Sequence, residues 1–197
     1  MNRKLRMGMV GGGTDSFTGP VHRIAAQMDN KIELACGVFS SSPEKSKLTG
    51  RDLLLPHERV YFDYEEMFDK ESKLPLEERM DFVSIITPNN MHYPIAVSAL
   101  EHGFHVLCEK PMTTTLKEAK DLEQKVAGAK KLFCLTHNYT GYPMVKEARH
   151  LVSENQLGKL RRVVVEYPQG WLSKTLEHQN DKQIIWRTSP EIAGASG

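Results

Sequence analysis

Apolar and polar positions alternate along the chain in two rhythms, one of strands and one of helices. Leu5, Met7, Met9 and Val10 form an apolar run that stops at Gly11-Gly12-Gly13, and beyond Pro20 the residues Val21, Ile24, Ala25 and Met28 fall at helical spacing. This pattern predicts a strand, a glycine turn and a helix, the opening of a βαβ unit. Ile32 to Phe39 predicts a second strand, ending in Ser40-Ser41-Ser42-Pro43. The signal weakens between Lys45 and Met80, where Val60 to Phe62 predicts a short strand, Tyr64 to Phe68 a short helix, and Glu71 to Glu78 a polar connection containing Pro75. The clearest buried strand is Phe82 to Thr87. It runs into Pro88-Asn89-Asn90-Met91-His92 and an apolar helix through Leu100 that Gly103 can terminate. Phe104 to Cys108 predicts a strand leading directly into Glu109-Lys110-Pro111. Thr115-Leu116-Lys117-Glu118 is a capping box that starts a helix running to about Gly128, and Leu132 to Thr136 predicts a further strand. Six strands with intervening helices suit a doubly wound, mostly parallel α/β sheet.

Past His137 the character changes. A loop from Asn138 to Tyr142 precedes a helix that Pro143 can open and that ends near Gly158, and a valine-rich segment, Leu160 to Tyr167, follows. After Gly170 the chain is polar and irregular. The expected organisation is a first domain over residues 1–139 and the start of a second α/β domain over 140–197. Roughly 55 residues are too few to bury a good core alone.

Composition narrows the function classes. With 26 basic and 25 acidic residues, and the basic ones scattered, no nucleic-acid partner is expected. No apolar run approaches the ~18 residues of a membrane span, and the N-terminus lacks the apolar region of a secretory signal, so no membrane partner is expected. Cys36, Cys108 and Cys134 lie in apolar, strand-like context without C-x-x-C spacing. That usage predicts reduced, buried thiols in a cytoplasmic protein. No His, Cys, Asp or Glu set has metal-ligand spacing, so no metal is expected.

Ligands of open α/β sheets bind outside the carboxyl ends of the strands. Three polar clusters fall there: the turn from Gly11 to Gly19, Thr87-Pro88-Asn89-x-x-His92, and Glu109-Lys110-Pro111. The glycine turn can carry a pyrophosphate onto a helix N-terminus, where free N–H groups and the helix dipole favour an anion. Gly11 and Gly13 match the first two positions of G-x-G-x-x-G, whereas Gly19 comes three residues late, so a purely structural turn stands beside that reading. At the end of the second strand, where a carboxylate would bind the 2′-hydroxyl of NAD, the chain has Ser40. Ser41, Ser42 and Lys45 can receive a 2′-phosphate or merely cap the next helix, so NAD and NADP both stay open. Lys110 can set an ammonium beside a substrate hydroxyl, or it can be a surface lysine paired with Glu109. Glu109 can hold Lys110 in place, and Pro111 is a candidate cis-proline. His22 reads as a packing or capping residue. Asn89 and His92 either border a nicotinamide or stabilise their turn, and His137 and Tyr139 are candidates to line a substrate cleft.

Taken together, Gly11-x-Gly13 with Gly19-x-x-His22, Thr87-Pro88-Asn89-x-x-His92 and Glu109-Lys110-Pro111 resemble the Gfo/Idh/MocA family of oxidoreductases. The likeness extends to the Asn138 to Arg149 region, Gly158-Lys159-Leu160 and Trp186-Arg187. It implies a Rossmann-type domain binding NAD or NADP through Gly11, Gly13, Gly19, Ser40, Thr87, Pro88, Asn89, His92, Glu109 and Lys110, with Lys110 the catalytic lysine. It implies a dehydrogenase acting on a hydroxyl of a sugar, polyol or cyclitol, and a second domain through which the full-length protein forms a homo-oligomer. Family members continue well beyond this length, with a Gly-Asp-x-Gly-x-His-like segment that supplies a general base. The chain is therefore expected to be a catalytically incomplete N-terminal portion that binds dinucleotide. The other reading is a non-catalytic dinucleotide-binding sensor or regulatory module.

Overall fold

The structure, a computed structural model, describes residues 3–168, 170 and 189–194. The chain divides into two compact units, Met1–Thr136 with Ser189–Gly197, and His137–Thr188. In the first unit the described elements are β1 (Leu5–Gly11), α1 (Thr18–Gln27), β2 (Ile32–Val38), α2 (Pro43–Asp52), α3 (Tyr64–Lys73), β3 (Phe82–Ile86), α4 (His92–Glu101), β4 (His105–Cys108), α5 (Leu116–Ala129) and β5 (Phe133–Leu135). The second unit contributes α6 (Pro143–Ser153), and the one-turn helix α7 (Pro190–Ala193) belongs to the first.

The strands form a five-stranded sheet in the order β2-β1-β3-β4-β5, every neighbouring pair parallel. The chain goes from β1 outward to β2, then crosses back to add β3 on the other side of β1. The direction of winding therefore reverses between β1 and β3, and a crevice opens at their carboxyl ends. Register lines those ends up: Gly11 lies opposite Ile86, and Ile85 opposite Cys108. Both sheet faces are covered, as the near-continuous apolar strands require. Val10, Val83 and Ile85 pack with Met67, Phe68, Ile95 and Phe104 on one side. Met7, Met9 and Ile86 pack with Phe39 and Val60 on the other.

Five strands replace the six expected. Val60 to Phe62 forms no strand among the described residues. Val60 makes a single bridge to Gly37, and Tyr61 N–H donates to the Gly37 carbonyl at 2.9 Å, so the segment touches the sheet edge without extending it. The helix expected over Tyr64 to Phe68 continues to Lys73, capped by the Asp63 carboxylate, and so takes in Glu71 from the expected polar connection. Glu71 is fully buried. Its carboxylate lies 2.7 Å from Arg59 Nε and accepts from Tyr61 Oη at 2.9 Å and from Met80 N–H at 3.0 Å. The capping box forms as read: the Thr115 hydroxyl accepts from Glu118 N–H, and the Glu118 carboxylate accepts from Thr115 N–H.

α1 inverts the expected amphipathicity. Val21, Ile24 and Met28 are exposed, while Gly19, His22, Arg23 and Ala26 face inward. Helical spacing predicted the helix correctly but not its buried side, because the inner face serves the strand ends rather than the core. Cys36 and Cys108 are buried as expected, but Cys134 is exposed, since it sits on the edge strand β5. In the second unit α6 ends at Ser153, not near Gly158, after which Asn155 and Gly158 take positive φ. Leu160 to Tyr167 has no regular structure and is exposed. The polar tail with Trp171, Trp186 and Arg187 lies outside the described residues. No described helix is long and apolar enough to cross a membrane.

Candidate functional site

The glycine turn is built by close approach. Gly11 and Gly12 have φ of +82° and +71°, backbone conformations that suit residues without a side chain. A Cβ on Gly11 would lie 2.7 Å from the Ile86 carbonyl carbon, and one on Gly13 would lie 2.6 Å from the Phe39 oxygen. The late glycine, Gly19, is in place after all. Ser16 N–H donates to the Gly13 carbonyl at 2.9 Å and Gly19 N–H to Ser16 Oγ at 3.1 Å. This turn absorbs the extra residues and brings Gly19 against Gly12, where a Cβ would be 2.6 Å from the Gly12 α-carbon. Gly12, which the motif spacing passed over, is thus the partner of Gly19. Arg23, also missed, donates to the Gly12 carbonyl at 2.6 Å and pins the turn from within α1. The N-cap residue of α1, Phe17, makes no side-chain hydrogen bond, Ser16 takes up only the Gly19 N–H, and the first turn carries no carboxylate. The glycine cradle, open to backbone N–H donors, fits a pyrophosphate.

The ends of β3 and β4 are tied together. Ile85 accepts from Glu109 N–H at 3.1 Å. His92, buried at the start of α4, has Nδ1 2.7 Å from the Pro111 carbonyl and Nε2 3.0 Å from the Thr87 carbonyl. It therefore joins the loop after β3 to the loop after β4, the turn-stabilising alternative. Thr87 Oγ1 is buried with no hydrogen-bond partner among the described residues. An orphaned buried hydroxyl at the mouth of the crevice is what a polar ligand would satisfy. Pro88 opens the 3₁₀ turn Asn89–Met91. Asn89 is buried, and its Nδ2 donates to the Ala193 carbonyl at 2.9 Å, so this amide holds α7.

Glu109 does not pair with the Lys110 ammonium. Its Oε1 lies 2.8 Å from Nε2 of His22, whose Nδ1 is 3.0 Å from Ser84 Oγ. Its Oε2 accepts from the Lys110 backbone N–H at 3.2 Å. His22, read from the sequence as a packing or capping residue, is therefore the partner of the carboxylate that follows β4. Burial works to raise the Glu109 pKa, but the hydrogen bond and charge of His22, the Thr136 hydroxyl and the Lys110 N–H outweigh it and hold the carboxyl below its usual range. Its ionised form thus stabilises the fold at neutral pH. That contribution is present above about pH 4.3 and is lost as pH falls through the lowered value. Urea midpoints followed from neutral pH into acid should show this loss in the parent chain, and Glu109→Gln should flatten that part of the profile. An unchanged profile in the variant would contradict the pairing.

Lys110 is exposed, and its ammonium has no ion-pair or hydrogen-bond partner among the described residues. The Lys110–Pro111 bond is cis, as anticipated. Neighbouring Cys108 is no competing nucleophile, since burial and the Glu109 charge push its thiol up to about 12. At the end of β2, Ser40 Oγ accepts from Ser42 N–H at 3.1 Å, and the Ser42 hydroxyl accepts from Lys45 N–H at 3.4 Å as the N-cap of α2. Sheet register and these contacts bring Gly11, Thr87, Glu109 and Lys110 to one edge of the sheet. Ser40 lies at the end of the neighbouring strand β2, and Asn89 is turned to α7. Among the described residues no His, Cys, Asp or Glu group is arranged to hold a metal ion.

Comparison with known proteins agrees with the parallel α/β fold. Residues 5–137 match the model of a family described as oxidoreductases with an NAD-binding Rossmann fold. The uncharacterized oxidoreductase YfiI of Bacillus subtilis is 34% identical over 197 residues, covering 100% of this chain and 50% of that protein. Levoglucosan dehydrogenase of Pseudarthrobacter phenanthrenivorans is 26% identical over 200 residues, 98% of this chain and 47% of the relative. The crystal structure of an inositol dehydrogenase homolog from Azotobacter vinelandii, complexed with NAD+, superposes with a TM-score of 0.93 at 34% identity, covering 98% of this chain and 49% of that one. The chain spans about half the length of the relatives it matches.

Proposed function

Because the chain belongs to the Gfo/Idh/MocA oxidoreductase family, we propose that it supplies the dinucleotide site and the catalytic lysine of a dehydrogenase that oxidises a hydroxyl of a sugar, polyol or cyclitol, or reduces the ketone. The observation that carries this reading is the division of charge at the end of β4. Glu109 is satisfied by His22, so the adjacent Lys110 ammonium is left without a carboxylate partner among the described residues. A lysine there can donate to the substrate oxygen and stabilise the alkoxide formed when the hydroxyl proton passes to a general base. The alkoxide then becomes the carbonyl as the carbon gives up hydride. Gly11, Gly13 and Gly19 would hold the pyrophosphate, and Thr87 and Glu109, just after β3 and β4, would meet the nicotinamide riboside. The nicotinamide, when bound, supplies the hydride acceptor. His22 fixes the Glu109 carboxylate and, through the Lys110 N–H, the backbone that carries the lysine. His92 holds the loop after β3 against the loop after β4.

The substrate class follows from the sugar and cyclitol dehydrogenases named among the relatives. Three free cysteines, two of them buried, suit a reducing cytoplasm. Residues 140–197 would begin a second domain for substrate binding and oligomerisation in the full-length protein. Lys110→Ala provides the test. In the whole protein it should lower kcat on a responsive polyol by roughly 10²–10⁴-fold while cofactor affinity holds. Unchanged turnover would contradict the assignment and favour a non-catalytic dinucleotide sensor.

A further inference from the structure

The end of β2 carries a hydroxyl, Ser40, where a carboxylate would discriminate NAD from NADP. The surroundings supply acid from two other directions. A Cβ on Gly13 would lie 2.6 Å from the Phe39 carbonyl oxygen, so the extended glycine turn runs close over the end of β2. That turn delivers Asp15, whose carboxylate lies 2.7 Å from Nζ of Lys45 in the first turn of α2. Glu44, beside it, accepts from the Ser42 hydroxyl at 2.8 Å, and its carboxyl is held below the usual range by its own backbone N–H and by that hydroxyl. Lys47, the next cation along α2, lies over the Phe62 ring, 5.0 Å from its centroid. The cation best placed to receive a 2′-phosphate is thus already neutralised, and a second carboxylate remains.

Resting on the dinucleotide reading above, we propose that Asp15 is a specificity-determining residue. Carried by the extra length of the glycine turn, it occupies Lys45 and takes over the discriminating role of the absent β2-terminal carboxylate, so that the chain selects NAD(H) over NADP(H). A 2′-phosphate entering there meets like charge and must compete for an engaged ammonium, whereas a 2′-hydroxyl does neither.

Calorimetric titration of the 197-residue chain with NADH and with NADPH tests this. The parent should bind NADH more tightly. Asp15→Asn should tighten NADPH by roughly two- to tenfold with little change for NADH, and Lys45→Met should weaken NADPH further. Asp15 is highly exposed, so the substitution leaves the fold intact, as circular dichroism would verify. A parent that prefers NADPH, or an NADPH-to-NADH ratio that Asp15→Asn leaves unchanged, overturns the assignment without touching the dinucleotide reading. Binding of neither nucleotide would remove both.

Discussion

Gly19→Val is expected to abolish dinucleotide binding by the 197-residue chain. A Cβ at this position would sit 2.6 Å from the Gly12 α-carbon, a distance that real Cβ atoms do not tolerate, and the obstacle is backbone rather than a flexible side chain. Either α1 moves off the turn or the turn opens, and both separate the N–H groups that would converge on a pyrophosphate. Arg23, which holds the Gly12 carbonyl from the same helix, would lose its register with the turn as well. Overpacking should also lower stability by about 1–3 kcal/mol, read as a reduced urea midpoint. Gly128→Ala is the matched control. Nothing lies within 4 Å of the added Cβ, and the site is in the last turn of α5, so the change should stabilise by at most about 0.5 kcal/mol and leave binding intact. Retained nucleotide binding in Gly19→Val would refute the assignment of this turn as the phosphate cradle.

Glu71→Ala is expected to destabilise the fold by about 3–5 kcal/mol, the range for removing one partner of a buried ion pair. The carboxylate is fully buried, and its loss strands the Arg59 guanidinium, the Tyr61 hydroxyl and the Met80 N–H together. The same interaction explains why the buried Cys36 thiol and the Tyr61 phenol both resist ionisation, chiefly through burial and then through the nearby Glu71 charge. Glu66→Ala, which removes the exposed partner of Lys70 on the same helix, should change stability by less than about 0.5 kcal/mol. Equal midpoints for the two variants in urea would contradict the distinction between buried and surface charge drawn here.

The two substitutions mark what can be read from sequence and what cannot. Strands β1 and β3 are legible because buried parallel strands are apolar almost throughout, and the α5 start is legible because Thr115 and Glu118 carry their partners within one turn. Gly11 and Lys110 stand out because each lies at or just past the end of a strand, and Gly19 because it follows two glycines that already fit the turn. Glu71 does not stand out, because it reads as part of a polar connection until the helix reaches it and Arg59 and Tyr61 are folded against it. His22 is hidden for a similar reason: its partner lies 87 residues away. The exposed apolar stripe of α1 shows the same limit. Periodicity specifies a helix, but the choice of buried face is made by what the sheet presents, here the Gly12 carbonyl, Ser84 and Glu109. Val60 to Phe62 has strand composition but meets the sheet at one bridge only, since composition does not count available neighbours.

Titration of NAD+ into the parent chain, Gly19→Val and Lys110→Ala by calorimetry brings these strands of reasoning together. The parent and Lys110→Ala should each bind one equivalent with similar affinity, and Gly19→Val should bind none. A parent chain that takes up no NAD+, or binding that survives valine at position 19, would contradict a dinucleotide cradle built from the turn between β1 and α1.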